Sequence, residues 1–257
     1  MGKIIAIANQ KGGVGKTTTA INLSASLALG GKDILVVDID PQGNTTSGLG
    51  VDRGQVEASI YNLLIGEVNP EDVILKTEIE GLQLIPSTID LLAIEVEMAQ
   101  MEGREYALSR VIEPLRPMYE FIVIDCPPSL GLLTLNALVA ADSLIVPVQC
   151  EYYALEGLGM LTRTVQLVQG SLNPRLKIEG ILLTMFDIRT SISREVAREV
   201  RQHFGGIVYN TIIPRNVTLS EAPSFGRPVL LYDARSRGAQ SYLQLAKEII
   251  NEESRTG

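Results

Sequence analysis

The chain has 257 residues, 46% of them hydrophobic, and a formal net charge of -8, a length that suits one large α/β domain with a substantial core. Its apolar runs are about five to eight residues long, too short to span a bilayer, and the acidic balance excludes an all-over electrostatic grip on nucleic acid or an anionic membrane. That balance is uneven: residues 175–237 hold ten Arg or Lys against six Asp or Glu, net +4, whereas residues 1–174 hold ten against 21, net -11, so a local basic face is expected.

In chain order, the first apolar run, 3–8, reads as a strand. No small-residue cleavage site follows it, so a cytoplasmic protein is expected. Behind it comes Lys11-Gly12-Gly13-Val14-Gly15-Lys16-Thr17-Thr18, and helical spacing covers 20–29. Strand, glycine-rich loop and helix in succession are the setting of a phosphate-binding loop. Glycines let backbone N–H groups turn inward, and the helix N-terminus places partial positive charge where phosphate oxygens would sit. Lys16 is expected on the β- and γ-phosphates of a nucleotide, and the Thr17 hydroxyl on a Mg²⁺ bridging them.

A second strand, 34–38, ends in Asp38-Ile39-Asp40-Pro41-Gln42, two carboxylates at the edge where open α/β sheets bind ligands. Such residues also serve as turn formers. Strand 82–86 and helix 91–101 follow, then strand 121–125, whose terminal Asp125 reads as a Walker B carboxylate serving the metal. Further helices are expected at 132–140, 155–168, 193–204 and 242–250, and further strands at 144–148, 178–185 and 207–213. The alternation predicts a single α/β domain over 1–257, with a mostly parallel twisted sheet flanked by helices on both faces and a loose acidic tail at 251–257. Cys126 and Cys150 lack CxxC spacing, which suits unpaired, buried thiols in a reducing compartment.

The usual phosphate loop has glycine five positions before its Gly-Lys pair; Gln10 stands there, with Lys11 beside it. This altered loop resembles the deviant Walker A motif of the ParA/MinD family of ATPases. Residues 38–42 match that family's DxDPQ motif, and 147–157, 213–216, 220–223 and Tyr232-Asp233 look like the short chromosomal ParA type, often called Soj. The likeness covers nearly the whole chain.

The resemblance implies an ATP hydrolase of DNA segregation, chromosomal or plasmid. Its ATP-bound form would be a sandwich homodimer that binds DNA without sequence preference, and a ParB-type partner would stimulate hydrolysis. It also implies nucleoid association and no membrane attachment. Within it, Lys11 reaches the partner's phosphates, Asp40 positions water, and Asp38 serves the outer shell of the magnesium. Pro214 and Asn216 contact adenine. Arg189, Arg215, Arg227, Arg235 and Arg237 are candidates for DNA, with Arg215 alternatively at the nucleotide. A MinD-like membrane-cycling ATPase is the alternative, but it needs a basic amphipathic C-terminal helix, and residues 246–253 are acidic. A redox carrier like the nitrogenase iron protein needs exposed cysteines in suitable loops.

Other residues read as structural. His203 suits a helix C-terminus, Met98 and Met101 suit a core or partner contact, and Tyr152 and Tyr153 suit either stacking or core packing.

Overall fold

The central strand segments are apolar at successive positions, not alternate ones, as strands covered on both faces must be. In the computed structural model, which describes residues 2–152 and 154–256, these segments form β1 (Lys3–Ile7), β2 (Ile34–Asp38), β3 (Leu75–Lys76), β4 (Leu82–Ile85), β5 (Phe121–Asp125), β6 (Ser143–Gln149) and β7 (Lys177–Thr184). One sheet results, in the order β3-β4-β2-β5-β1-β6-β7. Every neighbouring pair is parallel except β3 with β4.

Five long helices cover the sheet: α1 (Lys16–Leu29), α2 (Leu132–Ala140), α3 (Ala154–Ser171), α4 (Ser191–Phe204) and α5 (Arg237–Thr256). Alternate strand residues feed two cores. Ile4, Ala6, Leu35, Val37, Ile122, Ile124, Leu144 and Val146 pack with apolar side chains of α2, α3 and α4. Ile5, Ile7, Ile34, Val36, Val123 and Ile145 pack with those of α1 and α5. Among the described residues, no helix is long and apolar enough to cross a membrane.

Three expectations change. The stretch 207–213 makes only isolated bridges, Ile181 with Val208 and Phe186 with Pro214 bracketing it. Tyr209 and Ile213 donate their N–H groups to the Ile181 and Leu183 carbonyls of β7, but between them the Thr211 N–H goes to a competing acceptor, Glu248 of α5, at 3.0 Å, which interrupts the ladder. The helix expected at 91–101 is instead a 3-10 turn Ile89–Ala93, an α-turn Ile94–Glu97 and a second 3-10 turn Met98–Gln100. Helix α5 runs to Thr256, through most of the stretch expected to be a loose tail. The two-residue edge strand β3 carried too little pattern to be read from the sequence.

The smaller structural readings also find their places. His203 Nδ1 lies 2.9 Å from the Glu199 carbonyl in the last turn of α4. Both cysteines are free and buried. Met98 is buried in the core, whereas Met101 and Tyr152 are exposed. Tyr153 lies outside the described residues.

Candidate functional site

Because β1, β2 and β5 are parallel neighbours, their carboxyl ends meet at one edge. Ile7 and Asp38 both pair in register with Asp125. The loop leaving β1 turns into α1 through Gly13 at φ 72° and Gly15 at φ 92°, left-handed values that glycine adopts without strain. Two long-range bonds hold the loop in place: Asn9 Nδ2 donates to the Pro147 carbonyl at 2.7 Å, and Thr184 Oγ1 donates to the Val14 carbonyl at 2.8 Å. Gly12 and Gly13 are exposed, so their backbone faces open space beside the helix N-terminus.

Lys16 is buried, and its ammonium donates to the Lys11 carbonyl at 3.2 Å, across the loop it closes. Burial lowers its pKa from the ordinary lysine value, opposed by the negative charge of Asp125 and Asp40. Lys11 points elsewhere, with Nζ 3.5 Å from Glu151, a carboxylate that also lies 4.0 Å from Arg215.

The carboxylates are graded by environment. Asp125 Oδ2 accepts the Thr17 hydroxyl at 2.8 Å and the Thr45 hydroxyl at 2.7 Å, while its Oδ1 is buried with no partner. Asp38 Oδ2 accepts the Thr46 N–H at 2.8 Å and hydroxyl at 2.7 Å, and its Oδ1 accepts the Asp40 N–H at 3.1 Å. Burial, then mutual repulsion, pushes Asp125 up to about 7; burial likewise pushes Asp38 up to about 6. Asp40 is buried in the loop beyond β2, where its Oδ1 accepts the Gln42 N–H at 3.0 Å.

Two buried carboxylates beside an orphaned oxygen and a threonine hydroxyl fit a hard cation. Among the described residues, no three His, Cys, Asp or Glu side chains converge into an all-protein cage, so such a cation would draw its remaining ligands from water and a bound anion.

Beside the loop opens a cleft of about 360 Å³, lined by Gly15, Thr18, Met185, Pro214, Asn216 and Tyr242 among others. Asn216 Oδ1 is buried and unpartnered. Thus the structure brings Lys16, Thr17, Thr18, Asp38, Asp40, Asp125, Pro214 and Asn216 to one edge. Sequence reasoning missed Thr45, Thr46 and Tyr242, which carry no motif and matter only through contacts made in the fold.

The candidate arginines differ in their partners. Arg189 is tied to Asp187 by two bonds of 2.9 and 2.7 Å, and Arg227 to Glu78 by two of 3.2 and 3.1 Å. Arg215 lines the cleft. Arg235 and Arg237 are exposed at the start of α5.

Comparison with known proteins places this geometry in context. Residues 2–178 match the AAA domain family. The chain is 58% identical to the sporulation initiation inhibitor protein Soj of Bacillus subtilis, over 97% of this chain and 98% of that protein. It is 54% identical to the chromosome partitioning protein ParA of Caulobacter vibrioides, over 98% of this chain and 95% of that protein. A crystal structure of cobyrinic acid a,c-diamide synthase from Mycobacterium smegmatis, with bound ADP and magnesium, superposes with a TM-score of 0.88 at 39% identity. That match covers 100% of this chain and 97% of the other.

Proposed function

Because this chain belongs to the AAA domain family, in its ParA/Soj branch of partitioning ATPases, we propose that it hydrolyses ATP to ADP and phosphate as the switch of a DNA-segregation machine. One observation carries the reading: the Lys16 ammonium, the α1 N-terminus and the Thr17–Asp125 pair converge on one edge beside a cleft of base size.

The phosphates of ATP lie along Gly12 to Thr18, where inward N–H groups and the helix dipole favour negative charge. Lys16 leaves the Lys11 carbonyl for the β- and γ-phosphates, an exchange of a neutral acceptor for a charged one. Magnesium, when bound, screens the developing charge on the phosphoryl oxygens, and Thr17, Asp125 and, through water, Asp38 are the residues that would hold it. Asp40 orients the attacking water. Pro214 and Asn216 face the adenine ring, and the unpartnered Asn216 Oδ1 is an acceptor matched to an exocyclic amine.

Lys11 is the group that joins two subunits. In the lone chain it rests against Glu151; in the ATP state it moves to the partner protomer's phosphates, so loss of the γ-phosphate weakens the dimer. The dimer binds DNA through arginines of the 175–237 stretch, and a ParB-type protein stimulates turnover, giving a cytoplasmic, nucleoid-associated protein. A membrane-cycling role is disfavoured by the 54–58% identity to Soj and ParA proteins over nearly the whole chain.

The test is Lys16→Ala. Loss of a charge-assisted contact worth roughly 1.5–3 kcal/mol weakens ATP binding about ten- to a hundredfold, measured by titration of a fluorescent ATP analogue. Unchanged affinity would refute the phosphate-loop reading.

A further inference from the structure

Residues 52–105 hold twelve Asp or Glu against three Lys or Arg, a net charge of -9 within a chain whose total is -8. Toward the end of this acidic stretch lies the helical run 89–100, apolar on two opposite sides. Leu91, Ile94 and Met98 are buried in the core. Ile89, Leu92 and Val96 recur at the same three- and four-residue spacing on the other side and are 56%, 62% and 79% exposed. Core packing explains the first set and, among the described residues, leaves the second exposed.

The stripe has an anionic border. The Tyr61 hydroxyl donates to Glu97 at 2.6 Å, and Asp90 accepts the Thr88 hydroxyl at 3.2 Å. Tyr61 is pushed up to about 12, first by its bond to Glu97 and then by slight desolvation and by the charges of Glu97, Glu67 and Asp90. These carboxylates are therefore close enough to act on one phenol. None of the three has a Lys or Arg within 4.0 Å among the described residues.

We propose that Ile89, Leu92 and Val96, bordered by Glu67, Asp90 and Glu97, form a docking surface for a cationic amphipathic helix of a partner protein. The partner lays leucine-like side chains along the stripe, and its Lys or Arg flanks meet the carboxylate border. Charge complementarity selects this occupant. A second copy of the chain would set the same carboxylates against each other, and an anionic membrane or nucleic acid would be repelled. The proposal does not rest on the ATPase reading, because docking needs no nucleotide.

The probe is a synthetic peptide of about four helical turns, with leucines at three- and four-residue spacing and lysines between them. Its binding is followed by fluorescence anisotropy at moderate salt without nucleotide. Wild-type protein binds it, and the peptide with glutamate for lysine does not. Val96→Asp makes the protein more acidic, so unspecific attraction would strengthen, yet docking on the stripe weakens about tenfold or more. Asp90→Lys with Glu97→Lys weakens binding chiefly at low salt. Circular dichroism melts of these exposed-site variants stay at the wild-type midpoint. Failure of the wild type to bind, or peptide binding undiminished in Val96→Asp, overturns the proposal. So does wild-type self-association in sedimentation that Val96→Asp abolishes, which would make a second copy the occupant.

Discussion

At Asp125 one carboxylate oxygen receives two hydroxyls while the other, equally buried, receives none. Desolvation and the neighbouring Asp38 hold it protonated up to about 7, and Asp38 itself up to about 6, against an ordinary value of 3.8. Over that window the unfolded chain is already ionised and binds fewer protons than the folded one. The pair's contribution to stability is therefore full below about pH 4 and is lost as pH rises through 6 to 7. For protein free of nucleotide and divalent cation, a component of the melting midpoint falls across that range. Asp125→Asn removes most of it; an identical pH profile in the variant would show that the carboxylate is not held protonated. Cation binding reverses the sign, since it displaces the protons that burial retained.

At the scale of elements, α5 forms the back of the nucleotide edge. Tyr242 bonds Thr19 of α1 at 3.1 Å, Glu248 holds 210–211, and Gly238 lies against the cleft's Asn216. A Cβ added at Gly238 would sit 2.6 Å from Leu219 Cγ and 2.9 Å from Asn216 Oδ1, so the loop must shift. Gly238→Ala is expected to weaken ATP binding severalfold by displacing Asn216, with binding of inorganic tripolyphosphate unchanged; equal losses for both ligands would place the effect elsewhere. The same helix explains what could be read from the chain. Strands β1, β2 and β5 and the phosphate loop were legible because apolar runs and glycine spacing are local signals. The loss of a strand at 207–213 was not, because it depends on Glu248, a residue 37 positions from Thr211 whose carboxylate interrupts the ladder. Thr45 and Thr46 were invisible for the same reason, as hydroxyls acquire a role only once β2 and β5 bring Asp38 and Asp125 side by side. The short 3-10 segments of 89–100 share helical spacing with an α-helix, so periodicity alone placed the element without resolving its type.

For the whole molecule, the opposed charges of the 1–174 and 175–237 stretches bear on DNA. Arg189 and Arg227 begin inside ion pairs with Asp187 and Glu78, so contact with a phosphate requires exchange of partners, whereas Arg235 and Arg237 are exposed. If the dimer grips DNA through these side chains, the log-log salt slope is about -0.9 per phosphate neutralised, and Arg235→Ala with Arg237→Ala reduces it by about two such contacts. A slope unchanged by the pair would assign the grip to other residues.

The central claim, that ATP joins two copies of the chain and hydrolysis parts them, is tested most directly by sedimentation velocity of Asp40→Ala with ATP and with ADP. Asp40 accepts a backbone N–H within its own loop and acts on the phosphate loop through its charge on Lys16, so the variant is expected to keep ATP binding while turnover falls by about 10²–10⁴-fold. It is expected to sediment as a stable dimer with ATP and a monomer with ADP. The same species in both nucleotides would contradict the switch.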